Sequence, residues 1–227
     1  MKFPSVDVFV ISFNPIQRRL KEEIKRVGLP EGTLIPGVKA ATDARWVNSP
    51  TVGHIGVGSA GCTLAHRDAW NRWLNSEHPA QCALILEDDA CLTTYGSRWM
   101  ATCQRGFVNS EIELLQLGVH RTPGIMGARR LRRPTNFINA VQDTMERSVL
   151  VTRRRLMYSH ACGWGTHAYL ISAKCAEMLL AREPDFLMPI DSHFRALSLV
   201  PGRQFMRTRQ DLWSTTNRAS LIDQVGR

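Results

Sequence analysis

The chain has 227 residues, 44% hydrophobic and 22% charged, and its 29 Lys and Arg against 20 Asp and Glu leave a net charge of +9. That length suits one domain with a full core, and the balance excludes disorder as the default state. No apolar run approaches the roughly 18 residues of a membrane helix, and the six cysteines include no CxxC pair that would make a zinc ribbon or a redox dithiol.

Residues 6–13, VDVFVISF, predict a buried first strand. They do not read as a signal peptide, because Asp7 interrupts the apolar run and no small-residue cleavage site follows. A cytoplasmic location is expected, in the host cytoplasm if the protein is phage-encoded. After Asn14-Pro15, apolar residues at 16, 20, 24 and 27 mark one face of a helix closed by Gly28. TLIPGVKA, 33–40, predicts the strand that completes a βαβ unit. Residues 42–60, rich in Gly, Ser, Thr and Pro, read as a loop. In 61–76, Leu64, Ala65, Ala69, Trp70, Trp73 and Leu74 fall at helical spacing, with Thr63 the expected N-cap and an end near Ser76. CALIL, 82–86, predicts a second core strand, and Glu87, Asp88 and Asp89 stand directly behind it. Residues 96–107 predict a helix and 112–118, IELLQLG, another buried strand.

Residues 119–160 carry nine Arg against Asp143 and Glu146, a local charge of +7. The Arg cluster at Arg129, Arg130, Arg132 and Arg133 and again at Arg153, Arg154 and Arg155. No period runs through this segment, so it reads as an insertion or a mobile loop, suited to a polyanionic partner or equally to a solvated face. AYLIS, 168–172, predicts a strand, followed by a helix to about Arg182. A strand or turn precedes Asp191 and a helix follows it; the remainder to Arg227 is polar and weakly patterned. Strands alternating with helices predict an α/β fold, a single domain over 1–227 with a mostly parallel sheet flanked by helices.

In open α/β sheets ligands bind at the carboxyl ends of the strands, so Glu87, Asp88 and Asp89 are aimed at the binding edge. Three carboxylates this close resist joint ionisation without a compensating positive charge. Mg²⁺ or Mn²⁺, held by oxygen ligands and shared with a substrate diphosphate, supplies it. An exposed acidic turn is the plain alternative.

Around that turn the chain resembles glycosyltransferase family 25, the lipopolysaccharide galactosyltransferases and their relatives. VFVISFNPIQRR, 8–19, is similar to the family's opening strand. GHIGVGSAGCTLAHRDAWNRW, 53–73, is similar to its first-helix segment, ALILEDDA, 83–90, to its acidic signature, GTHAYLISAKCAEMLL, 165–180, to its late strand and helix, and PIDSHF, 189–194, to its late Asp element. Two departures stand out: Ala65 replaces the family's Ser before His66, and the Arg-rich segment has no counterpart. The resemblance implies a GT-A-like single Rossmann-type domain and transfer of a hexose from a UDP-sugar, metal-assisted and inverting.

Carried onto this chain, the resemblance makes Asp88 and Asp89 the metal and diphosphate ligands, with Glu87 orienting them or contacting the ribose. Asp191 is the candidate general base, since an inverting transfer must take a proton from the acceptor hydroxyl; its other reading is a helix N-cap. His193 is a candidate metal or diphosphate ligand, or a structural His. His66 is a candidate substrate contact. Gly163 and Gly165 flank Trp164, a pattern that allows close backbone approach and stacking on a sugar ring, or a tight turn. Arg18 or Arg19 can pair with nucleotide phosphates or face solvent. The basic segment fits an anionic oligosaccharide such as lipopolysaccharide. It also fits DNA, with a hydroxymethylated base as acceptor, phosphate contacts from the Arg, and base flipping. A non-catalytic nucleic-acid-binding protein or a metal-dependent nuclease ranks lower, because a two-metal nuclease needs several separated carboxylates. Oligomeric state is not legible.

Overall fold

The computed structural model describes residues 5–40, 42, 54–118, 158–159, 162–163, 165–182, 189–208 and 210–215. Strand β1, Val6–Ser12, is buried on both faces. Val6, Val8 and Val10 enter one core cluster with Leu20 and Ile24 of helix α1, Arg18–Arg26. Phe9 and Ile11 enter a second cluster with Trp70 and Trp73 of helix α2, Val57–Leu74. Two covered faces explain why the strand from Val8 to Ile11 reads as a continuous apolar run and not as an alternating one. Gly28, at φ +72°, ends α1 in the left-handed conformation, as the sequence predicts.

Strand β2, Thr33–Pro36, and strand β3, Cys82–Glu87, pair in parallel with β1 on either side. A short strand β4, Ala90–Leu92, leads into helix α3, Thr94–Val108, whose N-cap Thr93 accepts from the Gly96 amide at 2.8 Å. Then come β5, Leu114–Gln116; β6, Tyr158–Ser159; β7, Ala168–Ser172; helix α4, Ala173–Ala181; helix α5, Ile190–Ser198; β8, Phe205–Thr208; and β9, Trp213–Thr215. The seven-stranded sheet has the order β2-β1-β3-β7-β5-β8-β6. Strands β1, β2, β3, β5 and β8 point one way, while β7 and β6 are reversed. The sheet is therefore mostly parallel, in the α/β sandwich the sequence predicts. Helices α1 and α3 pack on one face and α2, α4 and α5 on the other.

Three local expectations are corrected. Helix α2 begins at Val57, so Thr63 lies buried inside it rather than capping it. The acidic turn is followed at once by β4, which pairs with β9. The C-terminal stretch read as unpatterned supplies β8 and β9 through Phe205, Met206 and Trp213, all buried; runs of three and four residues are too short to show a period. Most of the loop expected over 42–60 and all but the end of the basic segment lie outside the described residues. No helix among the described residues is long and apolar enough to cross a membrane.

Candidate active site

Alternation along β3 aims the site. Cys82, Leu84 and Leu86 face α1 and α3, whereas Ala83 and Ile85 face α2, so the next side chain on the α2 face is Glu87. On α2, His66 and Trp70 are four residues apart and share the inward face; both are fully buried. Tyr169, beside Ile85 in the β3–β7 register, points the same way. His66 Nδ1 lies 2.8 Å from the Tyr169 hydroxyl, which accepts from Trp70 Nε1 at 2.9 Å, and His66 Nε2 lies 3.3 Å from Glu87 Oε1. The Thr166 hydroxyl donates to the same Glu87 oxygen in a short hydrogen bond. Burial works against the Glu87 charge, yet His66 and then Thr166 outweigh it and hold the carboxyl well below the ordinary carboxylate range. Glu87 is thus a fixed anion gripped by protein donors on the α2 side.

Asp88 and Asp89 form the turn between β3 and β4. The Ser12 hydroxyl, at the carboxyl end of β1, donates to Asp88 Oδ2 at 2.7 Å and accepts from the Asn14 amide at 3.0 Å. Asp89 Oδ1 is buried and has no hydrogen-bond partner among the described residues. Burial, then the charges of Glu87 and Asp88, push its carboxyl up to about 7. An orphaned carboxylate oxygen among like charges is what a hard divalent cation relieves, so the donor set fits Mg²⁺ or Mn²⁺ at Asp88 and Asp89. Of the two arginines after β1, Arg18 is the exposed one: it pairs with Glu22 at 2.7 Å on the solvent face of α1. Arg19 turns inward, bonding Glu23 at 3.0 Å and the Ala90 carbonyl at 2.8 Å, and is the cation that reaches the acidic turn.

Asp191 stands in the first turn of α5, but Pro189 holds the cap position. Its Oδ1 accepts from the Ser192 amide at 2.7 Å, and its Oδ2 reaches across to the Gly165 amide at 3.2 Å. The pure N-cap reading of Asp191 is thereby replaced by one in which the carboxylate is tied to the segment entering β7. Gly165 has φ +98°, a conformation that favours glycine. The segment is fixed from below by Gln116, whose amide donates to the Gly163 and Gly165 carbonyls at 3.1 and 2.8 Å and accepts from the Gly163 amide at 2.6 Å. Burial raises the Cys62 thiol well above its ordinary value, and the charges of Glu87, Asp191 and Asp89 add to it.

The remaining candidates divide. His66 is sealed in the core, so it touches substrate only through Glu87. His193 Nε2 lies 3.2 Å from Arg182 Nη1; burial and that cation lower its pKa to about 4. A guanidinium at that distance opposes a metal ion, which weighs against His193 as a ligand. The amides and carbonyls of Gly163 and Gly165 named above are engaged with Gln116 and Asp191. Trp164 and Arg129, Arg130, Arg132, Arg133, Arg153, Arg154 and Arg155 lie outside the described residues. Sequence reasoning missed Ser12, Gln116, Thr166 and Tyr169. The available signal was a polar residue at the end of an apolar strand, as in LLQL around Gln116.

A cavity of about 940 Å³ opens beside the turn at the carboxyl ends of β1 and β2, lined by Ser12, Phe13, Gly37, Lys39, Leu64 and Asn71 among others. Ser12 links it directly to Asp88. No curated protein matches the chain at a significant level. The sequence profile of glycosyltransferase family 25 (LPS biosynthesis protein) does match, over residues 38–194, a span that takes in α2, the acidic turn, the Gln116 clamp, the segment entering β7 and Asp191. With well over half of its length matched, this chain belongs to glycosyltransferase family 25.

Proposed function

We propose that the protein transfers a hexose from a UDP-sugar to a hydroxyl of an anionic surface oligosaccharide, lipopolysaccharide first, with inversion at the anomeric carbon. The observation that carries this reading is Asp89 Oδ1, buried and without a hydrogen-bond partner among the described residues, in the acidic turn whose Asp88 is held by Ser12, a residue that lines the cavity. Asp88 and Asp89 would hold Mg²⁺ or Mn²⁺. When bound, that cation supplies positive charge to the diphosphate that departs. Ser12 keeps Asp88 in place, and Glu87, held by His66 and Thr166, keeps the turn negative without itself reaching the ion. Arg19 balances part of that charge from the opposite side. Asp191 receives the proton of the acceptor hydroxyl while that oxygen bonds to the anomeric carbon and the bond from the anomeric carbon to the diphosphate breaks, its electron pair leaving with UDP. Oδ1 accepts from both the amide and the hydroxyl of Ser192, whereas Oδ2 accepts from the Gly165 amide and keeps its other lone pair for the proton.

The test is UDP release with Mn²⁺ from UDP-galactose or UDP-glucose, offered lipopolysaccharide core oligosaccharide or hydroxymethylated DNA. Release stimulated by the oligosaccharide and lost in Asp89→Ala is expected. Stimulation by DNA alone would move the acceptor to nucleic acid, and release indifferent to both metal and Asp89 would overturn the mechanism.

A further inference from the structure

Cys62, His66 and Glu87 present a sulfur, an imidazole nitrogen and a carboxylate oxygen that lie within 4.8 Å of one another. The proposed transfer uses none of them as a ligand. Zn²⁺ and Co²⁺ favour this mixture of donors, at about 2.0–2.3 Å from the ion in the case of zinc. Whether they bind depends on where the hydrogens are. Trp70 Nε1 can only donate, and it donates to the Tyr169 hydroxyl. That hydroxyl has one proton of its own, and His66 Nδ1 stands 2.8 Å away to accept it. Nδ1 is therefore bare, the imidazole proton sits on Nε2, and Nε2–H donates to Glu87. The chain runs in one direction, from a donor-only indole to an acceptor-only carboxylate.

An ion at Nε2 needs the lone pair that this arrangement hides. The imidazole proton must move to Nδ1 and point at the Tyr169 oxygen, which strands the Tyr169 hydroxyl proton in the core. We propose that Cys62, His66 and Glu87 form a second cation site, selective for thiophilic divalent ions, whose affinity is set by the Trp70–Tyr169–His66 hydrogen-bond chain. Filling it releases the Cys62 thiol proton to solvent, shifts the ring proton from Nε2 to Nδ1, and turns Glu87 from Nε2–H to the ion. A filled site adds one net positive charge, the ion's two less the thiol proton released, next to Asp88 and Asp89 and so inhibits. That consequence, unlike the site itself, rests on the role proposed above for those two residues.

A stranded buried hydroxyl proton weakens binding roughly tenfold to a hundredfold. Tyr169→Phe lifts the penalty: without the hydroxyl, ion binding only exchanges an unmet Nδ1 lone pair for an unmet Nδ1–H. The full-length protein, freed of metal, is titrated with Co²⁺ while the thiolate-to-cobalt charge-transfer absorption is followed. The wild type is expected to develop the band, Cys62→Ser to lack it, and Tyr169→Phe to reach half-saturation at roughly tenfold to a hundredfold lower free Co²⁺. A band that survives Cys62→Ser, or no band in the wild type, overturns the site. Equal affinities for wild type and Tyr169→Phe overturn the role of the chain. Imidazole ¹⁵N shifts of the metal-free wild type provide a second measurement that needs no variant to fold. They must report the Nε2–H form of His66, and an Nδ1–H form overturns the forced polarity. Because the band is read without substrate, its outcome is separate from that of the UDP-release assay.

Discussion

Asp89→Asn is expected to make the metal-free protein more stable, by an amount that grows as the pH rises above about 4 and is complete above about 7, while removing its activity. The Asp89 carboxyl moves from an ordinary 3.8 in the unfolded chain to about 7 on folding. At 1.36 kcal/mol for each tenfold change in proton affinity, this amounts to about 4 kcal/mol against the folded state once the pH exceeds both values. Partial access of solvent to the turn lowers the expectation to about 2–3 kcal/mol. The sign follows from proton counting. Below pH 3.8 the group is protonated in both states and contributes nothing. Between pH 3.8 and about 7 the unfolded chain ionises while the folded one holds its proton, so the penalty grows, and above pH 7 it is complete. Asn removes it at nearly constant shape. Thermal unfolding of wild type and variant at pH 4 and pH 8, in chelator, should give equal midpoints at pH 4 and a variant raised by roughly 5–10 °C at pH 8. Adding Mn²⁺ at pH 8 should raise the wild type and leave the variant unmoved. Equal midpoints at pH 8, or a gain as large at pH 4, would refute the view of Asp89 as a carboxylate stressed by its neighbours.

Asp191→Asn should lower the transfer rate by about 10²–10⁴ while calorimetry finds donor binding unchanged, since the amide keeps a partner for the Gly165 N–H. Gln116→Leu deprives Gly163 and Gly165 of three hydrogen bonds. The transfer rate should then fall about a hundredfold through displacement of Asp191, and an effect on KM alone would show that the clamp serves the donor instead. Thr166→Val removes a charge-assisted hydrogen bond from buried Glu87 and should cost about 1.5–3 kcal/mol in urea unfolding at pH 7. Thr93→Ala, which removes the α3 cap, should cost about 1 kcal/mol and leave turnover unchanged, separating loss of stability from loss of site.

The sequence carried the sheet core well because β1 and β3 are buried on both faces, so their apolar runs are broken only by Asp7 and ended by unmistakable polar residues. It carried the acidic turn because that turn is contiguous. The parts that were not legible come together only in space. Gln116 bonds residues 47 and 49 positions away, Ser12 reaches Asp88 across 76, and Trp70 and Tyr169 are brought together by packing across 99. Arg18 and Arg19 were interchangeable in sequence, and only the rotation of α1 separates the one paired with Glu22 from the one at Ala90. The α2 start at Val57 was missed because Gly56 and Gly58 read as loop residues, although packing of α2 against β1 and β2 outweighs the poor helix propensity of Gly58.

Strand β7 runs against its neighbours β3 and β5, so it presents its beginning, not its end, at the edge where they finish. Gly118, just past β5, and Tyr158, opening β6 opposite Thr208 at the end of β8, stand at that same edge. The stretch 119–157, which holds most of the chain's excess charge, thus leaves and re-enters the sheet on the reaction side. Its length and composition can change without shifting any strand register, while β1, β2 and the Glu87–Asp89 turn are supplied from earlier in the chain. Under the transfer proposed above, acceptor choice and donor activation would then be separable: the one would belong to a single stretch, the other to β1, β2 and the Glu87–Asp89 turn.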